Sequence, residues 1–141
     1  MRKTNPEAHL QREIRATLCL LGYTVMETGK SRSRVTCAKC GASNYATGWQ
    51  GNTPGLPDIY VHRSGWGRPL AVALELKTSR GKPTETQQWL ADNRMTTIVR
   101  SMEGALRILR ETEITLGNTE QVKKIDTTLE AISWRKPTAK P

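Results

Sequence analysis

Leu70-Ala71-Val72-Ala73-Leu74-Glu75-Leu76-Lys77 is a nearly continuous apolar run broken by one carboxylate. A run of this kind fits a strand covered on both faces. A carboxylate buried there costs free energy unless a partner or a cation meets it. Lys77 follows two positions after Glu75, so both side chains leave the same face of the strand. Leu56 to His62 reads as a neighbouring strand, entered through Gly55-Leu56-Pro57, with Asp58 at its opening. If the two strands pair, Asp58 and Glu75 can converge on one hard cation. The competing reading is structural: Glu75 and Lys77 form an ion pair, and Asp58 caps a turn.

Outward from this pair the chain alternates helices and strands. Leu10, Ile14, Leu18 and Leu21 recur at helical spacing, thickened by Ala16 and Leu20, which predicts a helix from about Glu7 to Leu21. Asn5 can cap it, Pro6 suits its first position, and Gly22 ends it. Tyr23 to Thr28 reads as a short strand. Gly29 to Gly55 reads as a long irregular segment, and loops of that length inside a compact domain are usually functional or mobile. Ser64 to Pro69 reads as a turn that leaves Trp66 partly exposed, and Thr78 to Pro83 as a basic loop. Thr84 to Asn93 reads as a helix capped by Thr84, with Trp89 and Leu90 on its core side. Met95 to Arg100 follows as a strand, then Met102 to Thr112 as a helix capped by Ser101. Leu116 to Trp134 reads as one more helix, packed by Trp134, before a disordered tail from Lys136 to Pro141. The order predicts an α/β fold, a small mixed β-sheet flanked by helices. The expected division is a domain over 1–115 with an inserted loop at 29–55, then a C-terminal helix and tail over 116–141.

At 141 residues the chain suits one domain with a modest core. With no Phe, that core must be filled by Leu, Val, Ile and Trp. No apolar run approaches the roughly 18 residues needed to span a membrane. Met1 to His9 is polar and lacks the apolar stretch of a signal peptide. The expected location is therefore the cytoplasm of a bacterium or of a phage-infected host. The net charge is +9, from 22 Lys+Arg against 13 Asp+Glu, a balance that attracts polyanions and above all nucleic acid. The candidate phosphate contacts are Arg32, Arg34, Lys39, Arg80 and Lys82.

Cys37-Ala38-Lys39-Cys40-Gly41 has the form of a zinc knuckle. Zinc takes four ligands, usually from two such pairs, and this chain has one. Cys19 is expected to face the core, and His9 and His62 are the only histidines. The reading is a remnant knuckle of two reduced thiols, Cys37 and Cys40. Zinc, within the chain or shared between two subunits, is the alternative. Tyr45 and Trp49 in the same segment either stack on unpaired bases or fold the segment down onto the domain.

Asp58, Glu75 and Lys77 suit phosphodiester cleavage. Two carboxylates holding Mg²⁺ or Mn²⁺ supply Lewis-acid stabilisation and a more acidic water. A lysine beside them can orient or help deprotonate the nucleophile.

Four features resemble the virus-type replication-repair nuclease (VRR-NUC) family of the PD-(D/E)XK nuclease superfamily. They are Gly55-Leu56-Pro57-Asp58-Ile59, Glu75-Leu76-Lys77-Thr78 followed by Arg80-Gly81-Lys82, the helix start Thr84-Glu85-Thr86-Gln87, and Glu7 and Gln11 ahead of Gly22-Tyr23. Together they span roughly Glu7 to Arg110. The resemblance implies a restriction-endonuclease-like core. It implies Mg²⁺ or Mn²⁺ bound by Asp58, Glu75 and the Leu76 carbonyl, with Glu7 approaching directly or through water. It makes Lys77 the catalytic lysine and Gln87 its support, or the support of the phosphate. Gln87 lies two before Trp89, where three is the usual spacing, so Gln88 is the alternative. The implied activity is structure-selective cleavage of branched, flapped or nicked DNA in phage or bacterial replication and repair. A two-fold dimer would present two sites to two strands. Two rival readings are a catalytically inactive nucleic-acid-binding module with the same fold, and a zinc-ribbon interaction protein, which lacks the ligands.

Overall fold

The computed structural model describes residues 5–29, 34–36, 38–41, 43–45 and 55–135. It is a mixed α/β fold in which helices cover a four-stranded sheet. The first helix, α1, runs Pro6–Leu20, and the Asn5 side chain accepts from the amides of Glu7 and Ala8. Gly22 ends it at φ 88°, a left-handed conformation that glycine adopts without strain. The chain continues through β1 (Thr24–Glu27), β4 (Ile59–His62), a 3₁₀ turn (Ser64–Trp66), β5 (Val72–Leu76), α2 (Glu85–Asp92) and β6 (Thr97–Val99). It closes with α3 (Met102–Thr115), capped by Ser101, and α4 (Thr119–Arg135). Between β1 and β4, where an irregular segment was expected, β2 (Arg34–Thr36) and β3 (Ser43–Tyr45) pair antiparallel as a separate two-stranded sheet. Residues 38–41 lie in the connection between them, with Gly41 at φ 71°.

The main sheet has the order β1-β4-β5-β6, antiparallel except for the parallel β5–β6 pair. The parallel pair requires a crossover, and α2 is that crossover. Alternation along the strands sends Ile59, Val61, Leu74 and Leu76 to one face, where they are buried with Ile14 and Leu18 of α1 and Leu106 and Leu109 of α3. Asp58, Glu75 and Lys77 belong to the other parity and leave the opposite face. Ile125 of α4 is fully buried in the same cluster, and Arg110 grips Asp126 across the α3–α4 contact at 2.6 Å.

At the end of β4 away from Asp58 lies a second buried carboxylate, Glu113 of α3. It accepts from Arg63 through both oxygens at 2.7 Å, from Trp66 Nε1 at 2.9 Å, Tyr23 OH at 2.8 Å and Asn118 Nδ2 at 2.7 Å. This network corrects the placement of Trp66. The expected partly exposed turn residue is 6% exposed, because its indole N–H has a buried acceptor. Three other placements are corrected. Trp89 is 56% exposed, because α2 turns Leu90 inward and buries no residue completely. Trp134, on the last turn of α4, is 87% exposed, and Cys19 lies on the outer side of α1. The expected tail at 136–141 lies outside the described residues. Among the described residues no helix is long and apolar enough to cross a membrane.

Candidate active site

The β4–β5 register pairs Ile59 with Leu74. Extended by one residue, it sets Asp58 opposite Glu75. Directly opposed residues of an antiparallel pair share a face, so the two carboxylates meet. Asp58 is held from both sides. Its carbonyl accepts from the Thr28 amide at 2.9 Å, and its Oδ2 accepts from the Leu76 amide at 2.7 Å. The Thr28 hydroxyl also donates to the Pro57 carbonyl. The Leu76 amide thus points toward Asp58, whereas the next amide, Lys77, donates to Val99 of β6 at 2.9 Å. A residue's N–H and C=O leave a strand on the same side, so the Leu76 carbonyl also faces Asp58.

Glu75 is 2% exposed. Its Oε1 accepts from Gln87 Nε2 at 2.6 Å and lies 3.2 Å from Lys77 Nζ. Its Oε2 is buried without a hydrogen-bond partner among the described residues. Burial pushes the Glu75 carboxyl up to about 7, the negative charge of Asp58 adds to that push, and Lys77 pulls against both. The pair is therefore short of positive charge even with Lys77 in contact. Glu7, at the start of α1, reaches Lys77 instead of the carboxylate pair, with Oε1 3.8 Å from Nζ.

Gln87 has two roles. Its side-chain oxygen accepts from the Thr84 amide at 2.8 Å, and the Thr84 hydroxyl accepts from the Gln87 amide, a reciprocal capping box at the start of α2. The remaining amide hydrogens serve Glu75. Gln88, the alternative, points outward to Asp92 at 2.8 Å.

An all-oxygen set of two carboxylates and a carbonyl fits a hard divalent cation. The orphaned buried Oε2 and the mutual repulsion of Asp58 and Glu75 are what such an ion would relieve. Among the described residues no three His, Cys, Asp or Glu side chains converge as a complete cage. The remaining ligands would come from water or substrate, as is usual for Mg²⁺.

Of the expected phosphate contacts, Arg80 and Lys82 are exposed in the loop just after Lys77. Lys39 and the free thiol Cys40 are exposed on the β2–β3 turn. Arg34 lies in β2, and Arg32 and Cys37 lie outside the described residues. Arg100, which sequence reasoning passed over, donates to the Thr78 and Gly81 carbonyls of the basic loop at 2.7 Å each. No periodicity marks a residue that acts through backbone carbonyls. Glu113 was findable, because it extends the helical stripe of Leu106 and Leu109 and so breaks an apolar face as Glu75 does.

Compared with known proteins, the chain matches no family model, no curated protein and no solved structure.

Proposed function

We propose that this chain is a metal-dependent deoxyribonuclease with a restriction-endonuclease-like core, hydrolysing phosphodiester bonds within DNA. The observation that carries the reading is the buried Glu75 carboxylate, set opposite Asp58, with Oε2 unpartnered and an ammonium 3.2 Å from Oε1. A purely structural ion pair accounts for Lys77 but leaves Oε2 without a partner. A hard cation set between Asp58 and Glu75 would meet Oε2 and leave Lys77 beside Oε1 for the reacting groups. The sheet order, with α2 crossing between parallel β5 and β6, supports the fold assignment.

Asp58, Glu75 and the Leu76 carbonyl would hold Mg²⁺ or Mn²⁺. Such a cation, when bound, draws charge from the phosphate and makes a nearby water more acidic. The protein's own groups do the rest. Lys77 Nζ carries three N–H donors and is steadied by Glu75 and Glu7, so it can orient the attacking water or a phosphate oxygen. Gln87 fixes Glu75 Oε1, and the Leu76 amide fixes Asp58 Oδ2. The excess of basic residues draws DNA to the surface.

The test is incubation of labelled nicked, flapped, four-way and linear DNA with Mg²⁺, Mn²⁺ or chelator. Cleavage is expected with either ion and none with chelator, the branched, flapped and nicked forms being cut ahead of linear duplex. Undiminished cleavage in excess chelator would overturn the metal assignment. DNA bound but never cut, with either ion, would favour a non-catalytic binding module.

A further inference from the structure

Arg100 follows β6, and the β5–β6 register, which pairs Leu76 with Val99, sets it beside Lys77. One nitrogen of its guanidinium, Nη1, donates to two carbonyls, those of Thr78 and Gly81, at 2.7 Å each. These two carbonyls bracket the turn that leaves the candidate active site. The turn closes on itself as well, because the Gly81 amide donates to the Thr78 carbonyl and to Thr78 Oγ1, each at 3.1 Å. Its other side lies near the Glu7 carboxylate at the start of α1. A Cβ at Gly81 would stand 3.1 Å from Thr78 Oγ1 and 3.3 Å from Glu7 Oε1. Arg100 therefore holds the turn, and Glu7, close to its other side, also reaches Lys77.

Arg80 and Lys82 ride on this turn with exposed side chains. An arginine used to hold a turn that is itself basic adds like charge where charge is already concentrated. That arrangement is favourable when an anion completes it. We propose that Arg100 is a positioning residue, holding 78–82 as a preformed cradle that presents Arg80 and Lys82 to the DNA phosphate beside the one cut. The inference rests on the nuclease reading and names the element that would seat its substrate. A cradle ordered before binding spares the ordering entropy that a loose loop would lose on the complex. The guanidinium suits the task because charge-assisted bonds to carbonyls are stronger than neutral ones.

The test is fluorescence anisotropy with labelled flapped DNA in chelator, which separates binding from cleavage. Arg100→Met is expected to weaken binding about tenfold, the size of a coupling within one contact network. Its melting temperature should stay near wild type, and Arg100→Lys should recover most of the loss. Replacing Arg80 and Lys82 together by Ala should weaken binding similarly and flatten the salt dependence by about one unit per lost phosphate contact. Arg100→Met added to that pair should cost nothing further, since Arg100 acts through them. Fully additive losses would mean that Arg100 touches DNA itself and would overturn the proposal, as would wild-type affinity in Arg100→Met. If Arg100→Met does not fold, Thr78→Val decides. It removes the hydroxyl that accepts from the Gly81 amide and so loosens the turn without changing charge, and unchanged affinity there overturns the proposal. A wild-type protein that binds DNA while Arg100→Met binds equally well defeats this inference alone. A wild-type protein that binds no DNA defeats the nuclease reading with it.

Discussion

With its carboxyl pushed up to about 7, Glu75 keeps in the fold a proton that an ordinary carboxyl, near 4.5, has already released in the unfolded chain. Between those values the native state binds more protons, so the stability of the metal-free protein falls as pH rises through that window. Glu75→Gln removes this titration. Above neutral pH it is expected to raise the Tm of the metal-free protein by roughly 5 °C. If Mg²⁺ binds at Glu75, the wild type should gain Tm with the ion and this variant should not. A variant that melts well below wild type in chelator would show that the carboxylate serves the fold. Lys77 is tested the other way. If its role is the ion pair alone, Lys77→Arg keeps the charge and should be tolerated. If it acts on the reacting groups, the wide planar guanidinium cannot replace a compact ammonium. The expected result is a folded, DNA-binding variant that cleaves at least roughly 100 times more slowly. Near wild-type cleavage in a gel assay would remove Lys77 from the mechanism.

Among the elements, α2 carries the most testable oddity. It ends in a Schellman closure, with the Arg94 amide donating to Ala91 and the Met95 amide to Leu90. The residue in the left-handed position is not glycine but Arg94, at φ 58°. Arg94→Gly should relieve that strain and raise stability by about 1 kcal/mol, measured by urea unfolding. A loss of stability would show that the Arg94 side chain makes contacts worth more than the strain. Other element ends were legible in advance for the same local reasons. Asn5 and Pro6, Gly22, Thr84 and Ser101 announce boundaries through chemistry confined to a few residues. The central strand and its neighbour were legible from the apolar run and from Asp58 at its mouth, and so the carboxylate pair was too. The β2–β3 hairpin was not. Three-residue strands carry almost no periodicity, and the Cys-Gly turn resembled a metal knuckle more than a strand connection. Trp89 was misplaced because a helix that buries nothing completely has no clear stripe to read. Trp66 was misplaced because its partner, Glu113, lies 47 residues away. The choice between Gln87 and Gln88 likewise needed the helix's rotation relative to β5, which no local pattern fixes.

Across the whole molecule, two buried carboxylates sit at opposite ends of β4 and behave oppositely. Burial pushes the Glu113 carboxyl up, but hydrogen bonds from Arg63, Trp66, Asn118 and Tyr23 together outweigh it and hold it at about 2. Its contribution to stability is therefore complete above the unfolded value near 4.5 and is lost as pH falls toward 2. Glu113→Gln strands the Arg63 charge and is expected to cost about 3–5 kcal/mol. A loss below about 1 kcal/mol in urea unfolding would mean that the network is dispensable. The same network gives the protein a useful optical property. The Trp66 indole is shielded, while Trp89 and Trp134 are open to solvent. In a Trp49→Phe variant, iodide in the buffer would darken the two exposed fluorophores, Trp89 and Trp134, and spare the shielded one. The surviving emission then follows the Glu113 end of β4 alone. The quenchable emission includes Trp89, on the helix that carries Gln87. Stopped-flow traces of that variant with and without quencher would thus time the loosening of the Glu113 end of β4 apart from the exposed helices, without any added label.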